Sequence, residues 1–229
     1  MSVIDVVIDF ETLGNTSKGA VIDLALIAFD SDPMKLETFD ELVARGERIK
    51  FDLAYQRGKR LFDNSTMGWW KNQSPEAREG LKPSALDVDT LTGIQQALDY
   101  CTRQGVNKYH SLMYCRGQSF DFPLFVDLLR EAEKAKGIDE VDISTYNTEP
   151  VVFWNQRDLR TAIEAYSLTR KMCTTPLPVG TLKGFIAHNS VHDCAKDILM
   201  LKYAQRYALG IDECPGLDNC DPLSLPPQR

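Results

Sequence analysis

Two early segments are almost continuously apolar, residues 3–9 (VIDVVID) and 20–29 (AVIDLALIAF). Unbroken runs of Val, Ile and Leu at this length predict strands buried on both faces. The polar segment 14–19 (GNTSKG) reads as the turn between them. Residues 36–43 (LETFDELV) alternate apolar and polar positions and predict a third strand. Three strands on short links predict an antiparallel meander. Farther along, the apolar spacing lengthens to that of helices. Ser74-Pro75-Glu76 has the form of a helix start, with Ser as cap and Pro in the first turn. Residues 90–104 and the stretch from Phe122 to near Gly137 predict amphipathic helices on either side of a short strand at 111–115. A strand at 150–154 and a helix at 158–172 follow. The last helix predicted begins with a capping box of Ser190 and Asp193 and stops near Gly210. Strands first, then strands alternating with helices, predict an α/β fold with helices on the faces of a mixed sheet. Residues 1–210 read as one domain, and 211–229, rich in Pro and acid, as an extended C-terminal arm.

Composition narrows the function classes. The chain has 229 residues and a net charge of −7, which disfavours a protein that coats nucleic acid by charge alone. One stretch departs from that balance: residues 45–60 hold six basic and two acidic residues and are a candidate guide for a phosphate backbone. No run approaches the roughly 20 apolar residues that span a membrane, so no membrane partner is expected. The six cysteines form no C-x-x-C pair and fit reduced thiols in a cytoplasm.

The candidate chemistry lies in the acids. Asp9 and Glu11 end the first apolar run, two residues apart, so they share one side of a strand at about 6.5 Å. Two carboxylates on one face repel unless a cation lies between them, although acids are also common at solvated strand ends. Asp121 lies between Phe120 and Phe122 at a helix start, where an Asp also serves as a cap. Asp197 sits within the apolar stretch of the last helix, and His192 lies five residues before it; a histidine near a metal-bound water can take its proton near neutral pH. A zinc reading of His188 and His192 finds no H-E-x-x-H pattern and no third ligand.

In order along the chain stand Asp9-Phe10-Glu11, Phe120-Asp121 and His192-Asp193-Cys194-Ala195-Lys196-Asp197. This set resembles the DEDDh (DnaQ-like) family of 3′-5′ exonucleases, which carries D-x-E, an F-D pair and H-x-x-x-x-D in that order. Trp69-Trp70-Lys71-Asn72-Gln73-Ser74-Pro75-Glu76, Arg116-Gly117 and Phe153-Trp154-Asn155-Gln156-Arg157-Asp158 are similar to a phage-encoded branch of it. A bacterial branch whose members act on RNA is also similar. The chain departs from many members in having Thr12-Leu13-Gly14 after the first Glu and Gly117 where an Asn is common.

The resemblance implies a ribonuclease-H-like sheet of three antiparallel and then two parallel strands. It implies a catalytic set of Asp9, Glu11, Asp121, His192 and Asp197, in which the four acids hold two Mg²⁺ ions and Mn²⁺ can substitute. His192 then serves as general base, and nucleoside 5′-monophosphates leave from the 3′ end of single-stranded DNA. Thr12, Leu13, Arg116, Phe120, Trp69 and Trp70 are candidate substrate contacts. RNA as substrate is the alternative, and a non-catalytic binding or polymerase-associated module is the second. No obligate protein partner is implied.

Overall fold

The computed structural model describes residues 3–225. Its centre is a five-stranded sheet in the order β3-β2-β1-β4-β5. The strands are β1 (Ile4–Thr12), β2 (Val21–Asp30), β3 (Glu47–Lys50), β4 (Met113–Cys115) and β5 (Gln156–Asp158). β1 and β2 pair antiparallel over nearly their full length, with Asp9 opposite Ala25 and Glu11 opposite Asp23. β2 and β3 are also antiparallel, and β4 and β5 add in parallel to β1. The predicted mixed sheet is therefore present, with three antiparallel strands followed by two parallel ones.

Side-chain alternation explains why the early runs are apolar throughout. Even positions of β1 (Val6, Ile8, Phe10) join one core cluster under α4 (Thr90–Arg103) and α5 (Asp121–Ala135). Val7 joins a second cluster under α1 (Phe39–Arg45), α6 (Leu159–Ser167) and α7 (Ser190–Ala208). Since residues i and i+2 share a face, Asp9 and Glu11 follow Val7 toward α7. This register sets the position of the site.

Several boundaries differ from the sequence reading. The predicted third strand at 36–43 is instead the helix α1. Thr38 and Glu41 form a reciprocal capping box there, and Leu36, Phe39 and Leu42 fall three apart, the spacing of a helix face rather than of a strand. The pairing strand is the following segment, β3. Two short helices, α2 (Asn64–Lys71) and α3 (Pro75–Glu79), precede α4, and the second is capped by Ser74 as predicted. The predicted strand at 150–154 is a 3₁₀ turn at Phe153–Asn155 leading into β5. The helix predicted to 172 ends at Ser167, where Leu168 takes φ +54°.

The C-terminal arm is not extended over its described part, 211–225. Asp221 accepts the backbone N–H of Leu182 at 2.9 Å, and the Ser224 hydroxyl accepts that of Leu177 at 3.0 Å. Cys220, Asp221 and Ser224 are buried by this docking. The arm's last residues, 226–229, lie outside the described residues.

Candidate active site

Three elements converge on the end of β1. The first is β1 itself, with Asp9 and Glu11 on the α7 side. The second is the turn from β4 into α5. Phe120 and Asp121 donate their backbone N–H groups to the Gly117 carbonyl at 2.8 and 3.1 Å, which sets Asp121 as the first residue of α5. Gly117 sits at φ +141°, a conformation that disfavours the Asn common in the family. The backbone N–H of Phe10 donates to the Asp121 carboxylate, tying this acid to β1.

The third element is the start of α7. Asn189, rather than Ser190, caps it by accepting the backbone N–H of His192. His188 stands just before the cap at φ +62°, a strained conformation for a non-glycine residue. Its backbone N–H donates to the Asp193 carboxylate. Ligating atoms of Glu11, His188 and Asp193 lie within 4.8 Å of one another. Asp9, Glu11, His188, Asp193 and Asp197 line a cavity of about 310 Å³ with Arg116, Arg160 and Lys196 on its rim.

This arrangement corrects the reading of the third motif. The pattern H-x-x-x-x-D occurs twice, as His188–Asp193 and as His192–Asp197. His192 does not line the cavity. Its Nδ1 accepts the backbone N–H of Ile186 at 3.0 Å, and its ring packs edge-on against Phe39 at 5.3 Å. One ring nitrogen is thus bonded to backbone, and the half-buried ring lies between Phe39 and Phe185. Asp197 does reach the cavity, but its carboxylate accepts the Nε–H of Arg116 at 2.8 Å. His188, Asp193, Arg160 and Lys196 were missed as site residues. The first two carry the same spacing as the pair chosen, counted one turn earlier.

The candidate substrate contacts divide. The Thr12 hydroxyl donates to the Gly14 carbonyl at 2.7 Å and is buried. Leu13 packs beside Ile22 and Trp70. Trp70 is buried and donates its indole N–H to the Thr12 carbonyl at 2.8 Å. Phe120 packs partly buried against the core of β1 and α5. Trp69 is 44% exposed, and its ring meets His188 edge-on at 4.8 Å. Arg116, beyond its ion pair, donates to the Cys173 carbonyl at 2.8 Å.

The electrostatics of the cluster are those of crowded acids, whose ionised forms a nearby positive charge would favour. Burial and the neighbouring acids push Glu11 up to about 9. Burial does the same to Asp121 and Asp193, each to about 7. Asp9 is also held well above the usual carboxylate range by burial and by Glu11, Asp121 and Asp193. An oxygen-rich donor set of this kind suits hard divalent cations, so the residues present fit the metals the family implies.

Comparison with known proteins agrees with this geometry. Residues 4–204 match the family model of the 3′-5′ exoribonuclease Rv2179c-like domain. The chain is 57% identical over 225 residues to the exodeoxyribonuclease of Enterobacteria phage T4, covering 98% of this chain and 99% of that one. Among solved structures it is similar to E. coli exonuclease I. A complex of that enzyme with a dA16 oligonucleotide aligns at TM-score 0.53 and 13% identity, over 91% of this chain and 42% of the other. The product-bound form aligns at TM-score 0.54 over 92% of this chain and 46% of the other. The chain thus spans less than half the length of those structures, and at this identity they bear on the fold alone. The family match over 4–204 and the phage relative place the chain in the 3′-5′ exoribonuclease Rv2179c-like domain family, whose members are exonucleases.

Proposed function

We propose that this enzyme is a metal-dependent 3′-5′ exodeoxyribonuclease that removes nucleoside 5′-monophosphates from single-stranded DNA. One observation carries the reading. Four carboxylates from three elements, Asp9, Glu11, Asp121 and Asp193, meet at one strand end beside His188. The choice of DNA is supported by the phage relative, an exodeoxyribonuclease.

In this proposal the four acids hold two divalent cations, Mg²⁺ with Mn²⁺ able to substitute. When bound, these supply neutralising charge at the scissile phosphate and acidify the attacking water. His188 accepts that water's proton. Its placement at the cavity wall, against the exposed edge of Trp69, leaves it open to solvent and substrate while its backbone is fixed by Asp193. Burial holds its pKa below the ordinary histidine value, so it is neutral and able to take a proton near pH 7. Arg160 and Lys196 beside the cavity balance phosphate charge, and Arg116 holds Asp197 in place and offsets part of the upward push that burial gives its carboxyl. All six cysteines are unpaired thiols, which fits work in a reducing cytoplasm.

A second reading, an exoribonuclease, is favoured by the family's description. A gel time course on 5′-labelled DNA and RNA of one sequence, in Mg²⁺, beside Asp193→Ala, decides. The proposal expects a ladder shortening from the 3′ end of DNA that the variant lacks. A faster RNA ladder transfers the reading to RNA. No ladder on either, from folded protein, means a binding module.

A further inference from the structure

Phe153-Trp154, singled out in the sequence, takes no part in the catalytic cavity. Both rings are exposed, 64% and 53%, at the turn that leads into β5. They contact each other at 4.9 Å, and Trp154 lies 6.3 Å from Tyr146. The turn is held from beneath by the fully buried Val151 and Val152, and from the side by Asn155, whose amide donates to the Tyr109 carbonyl at 3.0 Å. Rigid backbone therefore presents a group of large rings to solvent, which a monomeric protein has no folding reason to do.

Two cations flank the rings. Lys108 lies 4.5 Å over Tyr146 and donates to the Tyr146 carbonyl. Arg157 donates to the Trp154 carbonyl at 2.6 Å. Both hydrogen-bond backbone carbonyls rather than carboxylates, in a chain whose net charge is −7. Aromatic faces interleaved with cations match a single strand of nucleic acid, whose bases stack and whose phosphates are paired.

Strand β5 leads from the patch toward the site. A groove of about 360 Å³ runs along β5, lined by Gln118, Gln156, Arg157 and Asp158. Arg157 in this groove holds the Trp154 carbonyl, and Arg160, two residues beyond Asp158, lines the catalytic cavity and donates to the Arg116 carbonyl. The Asp158 carboxylate in this groove is occupied in accepting the backbone N–H groups of Thr161 at 2.9 Å and Gln118 at 3.3 Å.

We propose that Phe153 and Trp154, with Lys108 and Arg157, form an upstream binding surface that holds single-stranded nucleic acid several nucleotides from the end being cut. This rests on the proposed nuclease reading of the cavity. The test compares the wild type with a Phe153→Ala/Trp154→Ala variant on a thymidine dinucleotide and on a long single-stranded oligothymidylate. A dinucleotide fills only the cavity. Expected is a rise in KM of about tenfold on the long substrate, with kcat and all dinucleotide kinetics unchanged. Trp154→Phe retains most of the wild-type KM. Equal losses on both substrates, or none on the long one, overturn the proposal. A wild-type dimer made monomeric by the substitutions, with KM unchanged, assigns the patch to a second copy and also overturns it. Equilibrium binding by fluorescence anisotropy is read beside turnover. A wild type that binds without cutting defeats the nuclease reading alone, and the patch is then judged by the variant's affinity for the long strand.

Discussion

The start of α7 and its second turn carry the same spacing, His188–Asp193 and His192–Asp197, in opposite environments. Asp193 and Asp197 are one helical turn apart and share a face, so both reach the cavity. His192 is one residue before Asp193 and lies about 100° around the helix, against Phe39 of α1. His188 precedes the cap and is free of the helical constraint, and its φ of +62° turns it back to the acids. Within the second pair, then, the acid and the histidine face different neighbours. Within the first, they face one cavity. A spacing on a helix identifies a motif only when the helix start is known.

This contrast can be broken in several ways. Removing the partner of the second acid has the largest expected effect on stability. Arg116→Ala leaves the buried Asp197 carboxylate without its ion pair and costs about 3 kcal/mol in urea unfolding. A loss near zero would show that Asp197 is already relieved by another cation. Next comes the response to metal. Binding of the first Mg²⁺ ion, at 100 times its Kd, stabilises the folded enzyme by about 2.7 kcal/mol over an EDTA control. Asp193→Asn abolishes that increment and Asp197→Asn retains it; a reversed result would give the ligand role to the second pair. His192→Ala costs about 2 kcal/mol, since it removes the packing against Phe39 and leaves the Ile186 N–H without its acceptor. That cost appears in the melting temperature rather than in turnover.

A separate readout is the dependence on pH. Asp121 and Asp193 titrate near 7 in the folded state, well above ordinary carboxylates. The metal-free fold keeps protons that the unfolded chain has lost, and so these groups lower its stability as pH rises from about 4 to 7. Saturating Mg²⁺ removes the slope. A metal-free stability that rises over this window, once other groups are matched in an Asp121→Asn/Asp193→Asn control, would contradict the crowding of these acids.

Much of this was legible in the sequence, for identifiable reasons. The unbroken apolar runs of β1 and β2 report burial on both faces, and the odd positions of β1 place Asp9 and Glu11 together. Asp121 between two Phe residues marks the third acid. The third motif is ambiguous in the sequence because His188–Asp193 and His192–Asp197 have the same spacing and Ser190-x-x-Asp193 also resembles a capping box. The cap is Asn189, and an Asn cap followed by a Ser is not separable from a Ser cap by residue type alone. Segment 36–43 was misassigned although its apolar residues Leu36, Phe39 and Leu42 fall three apart, the helical spacing, which the Thr38–Glu41 box reinforces. Arg160 and Lys196 were invisible because only tertiary packing brings them to the rim.

The central claim is that the first histidine–acid pair, and not the second, belongs to the catalytic cavity. The most direct test is kcat on single-stranded DNA for His188→Ala and His192→Ala, each held well below its melting temperature. The account predicts a loss of about 10²- to 10⁴-fold for His188→Ala and a change within about threefold for His192→Ala. A large loss at His192 with His188→Ala near wild type would contradict it.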